Sequence, residues 1–325
     1  MSNSHAASPN PTIPGKSAPK VRVWTLDNIK KDLVRHKYLY LMALPVVLFY
    51  ILFHYMPMYG ALIAFKNYIP TKGFSGSAWV GLKHFKLFFQ SEYFLRLLRN
   101  TFLLSFYNLL FGFPAAITLA LLLNEVRHRA MKTIVQTVSY IPHFISLVVI
   151  CGMVVEFSST DGLLNDIIVS LGGERVPLLS KPEYFRTLFV SSGIWQQVGW
   201  NSIIFLAALA SIDPGLYEAA EIDGANRFQQ LIHITLPSIL STIIILLILR
   251  IGQMMMVGHE KVILLYNEAV FQTADVINSY VYRVGLQAFN WSFSAAVGLF
   301  NSLVNLTLLL MANYLGRRFK QTSLW

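Results

Sequence analysis

Glu218, Ala219, Ala220, Asp223, Gly224 and Ala225, closing on Leu236-Pro237, fall in a polar stretch between two long apolar runs. No nucleophile elbow, paired carboxylate site or metal-ligand spacing accompanies them, so the chemistry on offer is recognition of another protein. Asp213-Pro214 starts a helix: the carboxylate caps free amides, and proline fits the first turn. A short helix through Glu218, Ala219, Ala220 and Glu221 follows. Gly224 then permits a turn that residues with a side chain resist. A second short helix, about 225–234, leads to Leu236-Pro237 at the start of the next apolar run. The alanines allow close backbone approach, while Glu218 and Asp223 offer acceptors to basic groups. Two short helices at an angle make a knob that fits a groove on a partner; an ordinary connector is the plain alternative.

A second group of polar residues lies inside the apolar runs. Arg250 sits about two-thirds along one of them, with Gln253 a turn further on. Ionisable groups in hydrocarbon are expensive and mark function by default. An Arg lining a cavity pairs bidentately with a carboxylate, as on a uronic acid sugar; the competing reading is a structural salt bridge to Glu156. Trp195, Gln196, Gln197, Trp200 and Asn201 share another run. Aromatic faces stack on pyranose rings and amides satisfy hydroxyls, so this mix suits a sugar path. Interfacial anchoring and helix–helix hydrogen bonding use the same residue types. Tyr140 and His143 flank Pro142; Tyr140 joins the path candidates, and a lone His reads as packing. Asn301 and Asn305 lie one turn apart beside a Ser294, Gly298, Ser302 stripe that lets another helix approach. Packing between subunits or a place on the path for Asn301 are both open. The eight histidines form no ligand cluster, and no metal site is expected.

These residues need a membrane frame to hold them. The chain has 325 residues, 55% hydrophobic and 13% charged, with a mean hydropathy of +0.53. A soluble domain of this size needs more surface charge, so an all-α membrane protein is expected. The net charge of +10 is scattered through tails and loops. It points to anionic lipid headgroups and away from nucleic acid. Cys151, the single cysteine, excludes an intrachain disulfide and reads as a small buried hydrophobe.

Six stretches can cross the roughly 30 Å hydrocarbon layer: about 38–59, 100–123, 134–157, 187–210, 237–257 and 291–315. Each should be helical, because hydrocarbon offers backbone groups no other partner. Pro45, Pro114 and Pro142 should kink the first three. Residues 1–37 form an N-terminal tail, disordered in its first twenty residues, and 316–325 a C-terminal one. The first apolar run lacks a cleavage site, so no signal peptide is expected. Gly15-Lys16-Ser17 is a decoy, because Asn10 stands where a phosphate loop needs Gly. Lys30, Lys31, Arg35 and Lys37, then Arg127, Arg129 and Lys132, then Arg317, Arg318 and Lys320 fall on one side of a six-span count. By the positive-inside rule that side, with both termini and the 218–237 stretch, is cytoplasmic. The segment from Trp79 to Leu98 has helix-spaced apolar residues and is expected along the outer interface. Segments 60–99, 158–186 and 258–290 are expected as outside loops.

The 218–237 stretch resembles the loop by which membrane subunits of type I ABC importers grip their ATPase. It has the Glu-Ala-Ala start, Gly six residues after the first Glu, and an Ile-x-Leu-Pro end. Met56-Pro57-Met58-Tyr59-Gly60, Trp79-Val80-Gly81-Leu82, Thr273-Ala274-Asp275-Val276-Ile277 and Tyr280-Val281-Tyr282-Arg283 are similar to the oligosaccharide and polysaccharide branch of that family. The resemblance runs from about residue 38 to the end. One departure is His259, where Phe is expected before Glu260-Lys261. The resemblance implies a six-span permease fold with a cytoplasmic coupling loop in the bacterial inner membrane. It implies a second homologous permease, an ATPase dimer below, a solute-binding protein outside and an oligosaccharide cargo. No cofactor is then bound by this chain, since ATP and Mg belong to the ATPase. An ion-driven transporter or channel is the alternative class, though the internal repeats and midplane carboxylates usual there are not evident. A peptide, amino acid or anion cargo on the same scaffold is a third.

Overall fold

The computed structural model describes residues 32–318. The expected tail disorder and the Gly15-Lys16-Ser17 decoy lie outside them. The chain divides at Gly60. The described part of the first unit is mainly one helix, α1, which runs Lys37–Phe65 and so enters the second unit. Its residues 33–59 are exposed, and an apolar helix bare on every side is stable only where lipid or protein covers it.

The second unit holds the remaining helices. Those of six residues or more are α2 (Lys83–Phe89), α3 (Phe94–Glu125), α4 (Arg129–Phe144), α5 (Leu147–Phe157), α6 (Leu163–Ser170), α7 (Pro182–Ala210), α8 (Pro214–Ile222), α9 (Arg227–Ile251), α10 (His259–Leu265), α11 (Ile277–Tyr282) and α12 (Trp291–Arg318). Four of the long helices, α1, α3, α9 and α12, are each long and apolar enough to span. Two bent pairs, α4 with α5 and α7 with α8, bring the number to six if each pair is one span. Helix α7 packs along α3 and α4, and α9 packs on α12.

The third expected span is therefore broken. Helices α4 and α5 meet at 100°, because Pro142 sits in the last turn of α4 and Ile145 and Ser146 turn extended. Ser146 then caps α5 by accepting from the Val149 amide. The other prolines act differently. Wide π-turns cover Ile51–Tyr55, Asn108–Gly112 and Leu231–Thr235, and Pro57, Pro114 and Pro237 each follow two residues after one. A proline removes one amide and crowds the carbonyl a turn earlier. Widening that turn accommodates the ring and keeps the helix going.

Close packing in hydrocarbon rests on small residues, because lipid supplies no hydrophobic drive between helices. Ala116 and Ala120 of α3 are buried against Phe205, Leu209 and Ile239. A Cβ on Gly199 of α7 would lie 2.1 Å from the Ser139 carbonyl oxygen of α4, so the two backbones touch there.

The segments expected as outside loops carry much of the core. Val262, Leu265, Val270, Ala274 and Val276 pack with Leu104, Cys151, Phe185 and Phe189. Phe88 and Leu97 pack with Ile277, Tyr280, Phe293 and Val297. The 79–98 segment thus turns Phe88 and Leu97 inward while Trp79, Leu82, Leu87, Phe89 and Leu95 stay exposed. A two-stranded antiparallel ribbon (β1, Lys66–Asn67; β2, Ala78–Trp79) precedes α2.

Buried Asp275 knits this region together. It accepts from Arg283 Nη2 at 2.7 Å and from Ser279 Oγ at 2.9 Å, with Arg96 at 3.8 Å. Its backbone carbonyl accepts from Asn100 of α3, whose own carbonyl oxygen accepts from Arg186 of α7.

Candidate functional site

Two places on the second unit carry the functional candidates. The first is the turn between α7 and α9. Asp213 Oδ1 accepts from the Gly215 amide at 2.9 Å, and Pro214 opens α8 at 67° to α7. The helix ends at Asp223, and Gly224 takes φ +79°, a left-handed conformation suited to glycine. The Ala225 amide then returns to the Ala220 carbonyl at 2.9 Å. Asn226 and Gln229 form a reciprocal capping box that starts α9.

The second short helix expected at 225–234 is not a separate arm. It is the first part of α9, continuous through the π-turn into the span, with Leu236 and Pro237 inside the helix. A side chain bonded across the corner stiffens it: Tyr217 Oη lies 3.0 Å from Thr235 Oγ1. Arg227 reaches back to Glu125 at the end of α3, 2.8 Å away. Glu218, Ala219, Asp223 and Gly224 are exposed, and Ala220 and Ala225 half-buried. Two apolar residues that the sequence reading passed over stand out beside them, Ile222 at 87% exposed and Phe228 at 68%. The signal for Ile222 was available: an isolated aliphatic residue between Glu221 and Asp223 in a polar stretch has no core to join.

The second place is a cavity of about 360 Å³ walled by α3, α7, the end of α9 and α10. Four of the eight path candidates line it: Gln196, Asn201, Arg250 and Gln253. Arg250 Nη2 donates to Asn201 Oδ1 at 2.9 Å; the salt bridge to Glu156 is not present. Gln253 falls past the end of α9, in a turn through Met256.

The other four lie elsewhere. Helical spacing puts Gln196, Gln197 and Asn201 on the cavity side of α7, and Trp195 and Trp200 off it. Trp200 stacks on His143, with ring centres 4.3 Å apart and planes 5° from parallel. His143 Nδ1 lies 2.9 Å from Gln197 Oε1, so the aromatic pair buttresses a cavity amide from behind. Tyr140 is at the α4–α7 contact, near Gly199. Asn301 is buried, donating to the Met255 carbonyl at 3.1 Å and to Asn278 Oδ1 at 3.0 Å. Asn305 accepts from the Met255 amide at 2.9 Å, and Ser105 Oγ donates to the Met254 carbonyl. The two asparagines therefore clamp the turn that forms a cavity wall. Ser294 belongs to a contact within this chain, donating to the Val281 carbonyl beside Gly285.

A cavity among spanning helices that carries several amide and two cationic side chains, with a rigid capped knob at one end of them, is the layout of a transport permease. Residues 112–321 match the family described as the binding-protein-dependent transport system inner membrane component, and the chain belongs to that family. It is an ABC permease, a transport subunit distinct from the one that hydrolyses nucleotide. LplB of Bacillus subtilis (strain 168) is 48% identical over 90% of this chain and 92% of its own. The polygalacturonan/rhamnogalacturonan transport system permease YteP of the same organism is 46% identical, with the same coverage. Among solved structures, a bacterial alginate ABC transporter in complex with an alginate pentasaccharide-bound periplasmic protein contains a chain 44% identical. That chain superposes with a TM-score of 0.85, covering 91% of this chain and all of its own.

Proposed function

We propose that this chain is one half of a permease pair that imports oligosaccharides, driven by a separate ATPase that grips the 213–237 corner. The carrying observation is the corner itself. It is capped at both helices, turned by Gly224, and cross-tied by Tyr217–Thr235 and Arg227–Glu125. It also leaves Ile222 and Phe228 bare, as anchors for a groove are. ATP binding closes the ATPase pair and draws the corners together, and the cavity then turns outward. Stiffness matters because the ATPase shifts the permease equilibrium only as far as it binds one state better.

The cargo follows from the amide-rich cavity and from relatives named for pectic and alginate polymers. Both termini and the corner face the cytoplasm of a bacterial inner membrane, a solute-binding protein delivers the sugar outside, and the second permease is a different, homologous chain. ATP and Mg are held by the ATPase and not here. The test is to co-purify the complex, reconstitute it in liposomes and follow oligosaccharide uptake with the binding protein present. Uptake that needs ATP and the ATPase subunit supports the reading. Uptake by the permeases alone, driven by an ion gradient, refutes it.

A further inference from the structure

Lys261 of α10 is 7% exposed and lines the same cavity as Arg250. Its ammonium donates to the Phe189 carbonyl at 2.8 Å and lies 4.8 Å from the centre of the Phe189 ring. Among the described residues no carboxylate pairs with it. Burial pulls its pKa down to about 8, with the Cys151 sulfur opposing, so the group still carries its proton at neutral pH.

An ammonium has three N–H groups, and one suffices for the Phe189 carbonyl. The Ser192 hydroxyl beside it donates its single hydrogen chiefly to the Leu188 carbonyl, with the Phe189 carbonyl a more distant second acceptor. Arg250 is held in the same way, on the neutral amide oxygen of Asn201. Among the described lining residues these two are the charged ones, and none is acidic. Both cations are thus parked on neutral oxygens, which orient them and leave their charge uncompensated. Of the two, Lys261 is buried and Arg250 exposed, and a buried cation in that state gains most from an arriving anion.

We infer that Lys261, with Arg250 as a second contact, selects for sugars bearing carboxylates: Lys261 is the specificity-determining group that receives a uronic acid residue of the cargo. This rests on the oligosaccharide reading above and names its chemical class. The carboxylate draws on the ammonium N–H groups that the Phe189 carbonyl does not take.

The experiment uses the whole transporter in liposomes with its binding protein. A uronic acid trisaccharide and its methyl ester differ in charge and by one small methyl group per carboxyl, and their uptake ratio is the readout. For Lys261→Gln the ratio of acid to ester should fall about tenfold or more, the scale of one lost charge-assisted hydrogen bond. Lys261→Arg should restore most of it. An unchanged ratio in Lys261→Gln overturns the inference, and so does an equal fall for both sugars, which marks a structural lysine. If the variant complex does not assemble, the wild-type complex decides. The acid should protect Lys261 from acetylation at pH 8, read by mass spectrometry, and the ester should not; equal labelling overturns the inference. Failure of the wild type to take up either sugar rejects the cargo reading instead, so the two failures are distinct.

Discussion

Arg227 sets its Nη1 2.8 Å from Glu125 Oε2, joining two residues 102 positions apart in the chain. One opens α9 and the other closes α3, so the pair ties the 213–237 corner to a helix that walls the cavity. Both side chains are more than half exposed, and such a pair contributes about 0–1 kcal/mol. Its value lies in direction, because a push on the corner reaches α3 as well as α9. Arg227→Glu should leave thermal stability nearly unchanged and reduce the sugar moved per ATP hydrolysed. Adding Glu125→Arg should recover much of the loss, and coupling unaltered in the single variant would refute the tie.

Gly224 supports a sharper expectation. Nothing lies within 4 Å of where its Cβ would be, so the φ of +79° alone forbids a side chain. Gly224→Val should cost about 1–2 kcal/mol of local backbone strain and loosen α8. Co-purification of the ATPase should fall several-fold while the permease stays folded by gel filtration.

Gly199 fails for the opposite reason, since its missing Cβ would meet a backbone oxygen. Gly199→Ala should force α4 and α7 apart at a cost of about 1–3 kcal/mol. A drop in Tm of the detergent-solubilised protein, larger than for Gly298→Ala where the site is open, would register it.

Asp275 is fully buried between two guanidinium groups. Asp275→Ala leaves Arg283 and Arg96 without their shared anion, and breaking a buried pair costs about 3–5 kcal/mol. Thermal unfolding should report that loss. The double variant Asp275→Ala with Arg283→Met should be less harmed than the single.

His84 makes part of the fold acid-sensitive. Burial, with some help from the Lys83 charge, pushes its imidazole below the ordinary 6.5, against the pull of the Lys66 carbonyl. Nε2 lies 3.2 Å from that carbonyl and donates to it, and Nδ1 has no partner. The neutral form is thus favoured by folding. Its contribution is complete above pH 6.5 and is lost as the pH falls below that value toward the folded-state pKa. Hydrogen exchange in residues 66–89 should speed up between pH 7.5 and 5.5, and His84→Gln should flatten that change.

The corner was legible because its signals are local: a cap, a proline and a glycine each declare themselves in one or two residues. The spans were legible because lipid demands long apolar helices. The 258–290 region was not. Helices α10 and α11 span seven and six residues, too short for a period to emerge, and their core partners come from other helices, such as Phe185 and Phe189 of α7 and Phe293 of α12. Trp195 and Trp200 were grouped with Gln196 and Asn201 by composition, yet a helix separates neighbours in sequence onto different faces. Lys261 was missed because a lysine just past a span reads as a snorkelling side chain, and only the fold reveals what covers it.

The wide turn at Leu231–Thr235 has a mechanical meaning. It holds one residue more than an ordinary helical turn, and it lies between the 213–226 corner and the guanidinium of Arg250. Slipping that surplus residue to a neighbouring turn rotates only the residues between its old and new positions, by about 100° around the axis, and leaves the rod beyond in register. A surplus of this kind lets the foot of α9 re-register under load while the span above it stays whole.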